Sequence, residues 1–265
     1  MAIMSSGGRH SIGRIVVIMI MVVIIGIVVA RTYYRSTNRS VDPRIVRARE
    51  LYSGYDNYAR LGDYHAIFAL LDSVELIYND TKHYKGSFEL GVVENNRAAA
   101  LLTIALYRDS IPGAADPFPE LTSDSIISLA EIHVKQAIET YDRWNSTFEE
   151  KTNLQIRMVI KSDFLSGLNT SDPDMKEKYL ETRVKEIERA LEEYNRRVSV
   201  CFTNLGLIYR YRGEFEAAVR QYETAIRLWD RNLDAENNLN KLLNRPVKKR
   251  NLLQKLFPPE RENNE

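Results

Sequence analysis

Apolar and polar positions alternate with a helical period along nearly the whole chain after residue 42, and one stretch before it has no polar position at all. Ile15 to Ala30 reads IVVIMIMVVIIGIVVA, bracketed by Arg14 and Arg31. At about 1.5 Å per residue it spans roughly 24 Å, and Ser11 to Thr32 reaches about 33 Å, near the ~30 Å hydrocarbon core of a bilayer. Arginines at both ends can snorkel outward. The pattern predicts a single transmembrane helix. A cleaved signal peptide is the competing reading, because Val28 and Ala30 fit a small-residue cleavage rule before Arg31. Residues 31–42 are polar and basic and read as a juxtamembrane linker whose arginines can touch anionic lipid.

From Pro43 onward the period and the breakers predict helices throughout. Asp42 and Pro43 start one that runs to residue 60, before the Gly62-Asp63-Tyr64 turn, and a second runs to about Tyr78. A helix covers Val92 to Leu102 and leads into IPGAADPFPELTSD, whose three prolines exclude a helix interior. The next helix, 123–144, carries Ala130 and Ala137 seven residues apart. Two more follow at about 148–167 and 173–197, the latter opened by Asp172-Pro173-Asp174. Its apolar stripe (Tyr179, Val184, Ile187, Leu191) lasts only about three heptads. That favours packing on a neighbouring helix over an independent coiled coil. No strand pattern of length occurs, so the fold class is all-α.

Residues 199–232 are the most distinctive part of the domain. Leu205-Gly206, Tyr209, the Gly213-Glu214-Phe215 turn, and Ala218, Tyr222 and Ala225 at helical spacing place small residues where two antiparallel helices cross closely. Large apolar residues flank that crossing. This pattern resembles a tetratricopeptide repeat, followed by its closing helix at 233–244. The family's usual proline after the second helix is replaced by Asp230. Gly54-Tyr55 with the Gly62 turn resembles a degenerate first repeat. Residues 92–102 with 123–144 resemble a second one, with Ala98 in the glycine's place and the proline-rich stretch as an insertion against a period of about 34 residues.

The resemblance implies a TPR-like array over 43–244 that binds other proteins, with first helices lining a concave groove. Asn96 and Asn204, each two residues before the small Ala98 and Gly206, stand where asparagine contacts peptide in some family members. Arg97 and Arg210 could add charge-assisted bonds. Similar single-anchor bacterial repeat proteins place the repeats outside the cytoplasm, which implies an extracytoplasmic domain. The arginines after the apolar run, taken alone, favour the cytoplasm.

Composition narrows the chemistry. Thirty-seven basic side chains balance 36 acidic ones, so no whole-protein charge argues for nucleic acid. Cys201 is the one cysteine, within an apolar helical pattern, which excludes an intrachain disulfide. Four scattered histidines lack an HExxH, and no phosphate-cradling loop or GxSxG elbow occurs. The expectation is a noncatalytic protein with no cofactor, no metal and no small-molecule substrate, holding partner proteins at a membrane. A chaperone-like holder of client segments is the alternative. The tail 245–265 combines Lys248-Lys249-Arg250 with Leu252, Leu253, Leu256 and Phe257, which read as a frayed end or a short amphipathic docking turn.

Overall fold

In the computed structural model, residues 41–111, 113 and 116–249 are described, and all regular structure among them is helical. The apolar run 15–30, its linker to residue 40 and the tail beyond residue 249 lie outside the described residues. No helix among the described residues is long and apolar enough to cross a membrane.

The chain runs through α1 (Val46–Tyr52), α2 (Tyr55–Leu61), α3 (Tyr64–Asp80), α4 (Phe88–Tyr107), α5 (Ser123–Phe148), α6 (Asn153–Leu165), α7 (Pro173–Tyr211), α8 (Phe215–Leu228) and α9 (Leu233–Leu242). Local sequence accounts for most of these boundaries. Gly62 and Gly213 take φ of 68° and 76°, the left-handed conformation that ends a helix cheaply only without a Cβ. Asp63, Thr122 and Asp172 accept hydrogen bonds from first-turn amides, and Thr152 with Gln155 closes a reciprocal capping box.

Two elements differ from the sequence expectation. The helix expected over 43–60 is divided at Ser53-Gly54, where the Gly54 amide bonds Leu51 O three residues back rather than four. The helix expected at 173–197 does not stop. It continues through the 199–211 stretch as one 39-residue helix, α7. Nothing between Pro173 and Gly206 breaks it, since the intervening segment holds neither glycine nor proline and no capping residue intercepts its amides.

Three linked apolar clusters hold the array together. The largest joins α4, α5, α6 and α7 around Ile104, Ala130, Val134, Tyr141, Ile156, Phe164, Leu180 and Cys201. A second lies under α1 and α3 (Ile45, Ala48, Leu71, Val74) and reaches α4 through Leu90 and Val93. The third seats α8 and α9 against the C-terminal part of α7 (Ala218, Tyr222, Ala225, Ala235, Leu239). Helix α4 contributes to the first and second clusters and α7 to the first and third, which makes these two the connecting members. The proline-rich stretch is tied back on this framework. Arg108 pairs with Asp116 (2.8 Å) and donates to the carbonyls of Phe118 and Leu121, while Phe118 sets its edge on Phe68 with ring centres 5.0 Å apart.

Candidate functional site

Two very close helix contacts are built in the same way. In the α7/α8 pair, Gly206 lies directly under the ring of Tyr222, so close that a Cβ there would overlap the ring carbons. In the α4/α5 pair, Gly91 lies under the ring of Tyr141, and a Cβ would stand 2.6 Å from the nearest ring carbon. Ala218 and Ala137, four residues before each tyrosine, are fully buried beside these contacts. Leu205, Tyr209 and Ala225 pack around the first of them. The glycine equivalent to Gly206 is therefore Gly91, not Ala98, which is buried one heptad further along the same face of α4.

Side by side, α4 and α7 expose a shared face. On α4, Val92, Asn96, Ala99 and Thr103 form a half-buried stripe at spacings of four, three and four. On α7 the neighbouring stripe holds Arg197, Val200, Asn204 and Leu207. The two helices are joined across it by the amide of Asn204, which donates to Asn95 Oδ1 at 2.9 Å. Both asparagines are 8% exposed, so this bond is an interior tie.

The four sequence-derived groove residues have different fates. Asn96 stays on the half-open stripe. Its side-chain amide donates to Tyr52 Oη (2.6 Å), and its backbone carbonyl accepts from Tyr55 Oη (3.4 Å). Those two tyrosine rings stack with centres 5.8 Å apart, so an aromatic pair from α1 and α2 borders the asparagine. Asn204 sits one residue from Asn96 in effect, through Asn95, but its amide faces inward. Arg97 points the other way, to α3, where its guanidinium meets Asp72 (2.7 Å) and Glu75 (2.8 Å), and it also pairs with Glu94 one turn back on α4 (3.3 Å). Burial would lower its pKa, and these carboxylates more than offset that, leaving it raised. Arg210 turns to α9 and donates to Asn238 Oδ1 at 3.4 Å. The structure thus ties Asn204 to Asn95, the neighbour of Asn96 in the chain, and sends both arginines elsewhere.

Sequence reading missed two polar clusters, because their members lie far apart in the chain. In the first, Asn232 caps α9 through Ala235 N and also donates to Ser199 Oγ (2.8 Å) and Thr203 Oγ1 (2.9 Å). Ser199 in turn donates to Ala225 O (2.6 Å). This buried network fixes the exit from α8, where the expected proline is absent. In the second, Arg183 is 3% exposed. It donates to Glu89 (2.5 Å), Glu186 (3.3 Å) and His83 Nε2 (3.2 Å), and lies over the Tyr84 ring at 4.4 Å. Burial alone would raise the Glu89 carboxyl, but the Arg183 guanidinium holds it at about 2. Burial, reinforced by the same guanidinium, pushes His83 down to about 4.

A cavity of about 500 Å³ opens beside this cluster, walled by Trp144, Phe148, Val159 and Ile160. The Arg183 donors at its base already have acceptors within the protein. Cys201 is fully buried and burial pushes its thiol up, away from the reactive thiolate. The arrangement on the α4–α7 face can offer amide and phenol hydrogen bonds to an extended segment. Comparison with protein-family models, with curated proteins and with solved structures finds no match to this chain.

Proposed function

We propose that the chain is a noncatalytic, membrane-anchored scaffold of tetratricopeptide-like helical hairpins that holds other proteins, with the helical domain outside the cytoplasm. One observation carries this reading. Two antiparallel helix pairs repeat the same glycine-under-tyrosine contact, Gly91 with Tyr141 and Gly206 with Tyr222, and their first helices stand side by side through the Asn95–Asn204 bond. Paired helices stacked with first helices adjacent generate an extended inner face, the surface on which helical-repeat proteins bind partners. Asn96, Tyr52 and Tyr55 are the polar and aromatic groups at that face, and residues 15–30 supply the bilayer attachment.

A photo-crosslinking residue at Ala99, on the half-open stripe, and another at Glu223, on the exposed side of α8, test the reading in native membranes. A scaffold yields adducts of defined size from position 99, few from 223, and a stoichiometric partner that survives graded salt. Varied, substoichiometric adducts from position 99 identify the chaperone-like alternative. Equal yields from both positions would remove the inner face as a binding surface.

A further inference from the structure

Helix α6 carries an exposed apolar patch, Leu154, Met158 and Val159, on its outer side. Its inner side is ordinary core, with Ile156, Ile160 and Phe164 at 0%, 3% and 0% exposure. Turned away from them, Leu154, Met158 and Lys161 recur at spacings of four and three, the period of a second helical face, and Leu165 closes its far end half-buried against the core. Leu154 is 67% exposed and Met158 71%, with Val159 at 48% on the flank. A thirteen-residue helix presenting apolar residues on both sides is built to lie between two apolar phases.

The place where the chain enters the domain identifies the second phase. Arg44 donates to the carbonyl oxygens of Phe164 (3.0 Å) and Ser166 (3.1 Å), and its guanidinium lies over the Phe164 ring at 5.0 Å. The entry point at Val41 is thus fastened to the C-terminal end of α6. Only ten residues, 31–40, separate it from the apolar run 15–30, and ten residues span at most about 33–36 Å. Along α6, Met158 is about 10 Å and Leu154 about 16 Å from Leu165. The whole stripe is within reach of any bilayer that holds residues 15–30.

The geometry points to the outer face of α6 as an interfacial docking surface that lays Leu154 and Met158 into the headgroup–acyl boundary of the bilayer. The inference rests on the reading of residues 15–30 as a membrane segment. Lys161, which makes no ion pair among the described residues, interrupts the stripe with a side chain long enough to lift its ammonium into the headgroups. Glu149 and Glu150 at the approach to the helix balance Lys151 and Lys161 beside the stripe, so the face carries no strong net charge. A zwitterionic phosphatidylcholine bilayer therefore suits this face. Docking here would orient the domain, turning α6 to the membrane while the α4–α7 face stays accessible to partners.

The test uses the full-length chain in phosphatidylcholine vesicles, with an environment-sensitive fluorophore on Met158→Cys, on Leu154→Cys or, as the comparison, on Glu223→Cys. Cys201 is fully buried, and the chain without added cysteine gives the background labelling. Emission at 154 and 158 should shift to the blue, and nitroxide lipids labelled near the headgroup should quench it at least threefold more than at 223. Quenching at 154 and 158 no greater than at 223, with the protein retained through a carbonate wash, overturns the docking surface and leaves the anchor standing. Release by carbonate overturns both. A blue shift without lipid quenching that grows with the protein-to-lipid ratio means a second copy covers the stripe, and also overturns the inference.

Discussion

Gly206 and Gly91 hold the fold together by what they lack. Each lets a tyrosine ring rest on the backbone of the opposite helix, and in both places an added methyl group would occupy ring volume. Overpacking of this kind costs about 1–3 kcal/mol. Gly206→Ala and Gly91→Ala should each lower the melting temperature by several degrees, given roughly 2–4 °C per kcal/mol for a domain of this size. A calorimetric trace unchanged in both variants would show that the rings can move aside. Charge at the residue scale gives a second prediction. His83, whose side chain is 7% exposed, is held at about 4 against 6.5 when unfolded, so the unfolded chain binds the proton more readily. Its contribution is complete above pH 6.5 and is lost as pH falls toward 4, amounting to roughly 3 kcal/mol. Glu89, held at about 2 against 4.5, contributes above pH 4.5 and fails only as pH falls toward 2. Melting temperature against pH should descend in two steps, and His83→Gln should remove the upper one. A single step in the native protein would rule out the separation of the two groups.

At the scale of elements, the sequence was legible wherever an end is written locally. The turns at Gly62 and Gly213, the Asp172-Pro173 start and the antiparallel α7/α8 crossing all follow from residues within a few positions of each other. Register was harder. Gly91 and Ala98 are small residues one heptad apart on the same helix, and spacing alone cannot tell which one meets Tyr141, because that choice is made by α5. The long α7 was missed for a related reason. The similarity of 199–232 to a self-contained unit suggested a fresh helix start, yet Tyr194 to Val200 holds neither glycine nor proline, and Ser199 commits its hydroxyl to Ala225 O rather than to a helix cap. Continuity there has a measurable consequence. Arg196 is exposed, and its ion pair with Glu193 is solvent-screened and of small value. Arg196→Pro should nonetheless cost about 3 kcal/mol or more, because it removes a backbone hydrogen bond and clashes with the preceding turn. An unaltered melting curve and unaltered helicity by circular dichroism would mean that α7 behaves as two helices meeting near residue 198.

Across the whole molecule, the two helix pairs share the largest apolar cluster, and the Asn95–Asn204 bond is a buried polar tie between them, alongside Arg183–Glu89 and, nearer the surface, Arg212–Glu131, Tyr194–Asp142 and Tyr211–Asp124. The resemblance to repeat proteins put Asn204 at the inner face and could not foresee that Asn95, 109 residues earlier, would take its amide. That pairing separates two effects expected to coincide. Asn204→Ala leaves the Asn95 side chain buried without its donor, which costs about 1–3 kcal/mol, so the melting temperature should fall. Replacing both by leucine removes the two polar groups together and should cost less than the sum of the single changes, a coupling that a double-mutant cycle reads directly. Asn96→Ala is a different experiment. Tyr52 is half-buried, and its hydroxyl can turn to water once the amide is gone, so stability should hardly change. If the inner face grips extended segments through Asn96, that variant should weaken partner capture by roughly tenfold at unchanged melting temperature, whereas truncation after Asn244 should preserve most of it. The truncation removes Lys248, whose backbone bonds Asn237 and whose ammonium pairs with Glu236 (2.8 Å), contacts confined to α9. The opposite pattern, with Asn204→Ala abolishing capture at full stability and Asn96→Ala inert, would require the Asn95–Asn204 tie to open on binding. The two helix pairs would then have to part for a partner to enter between them.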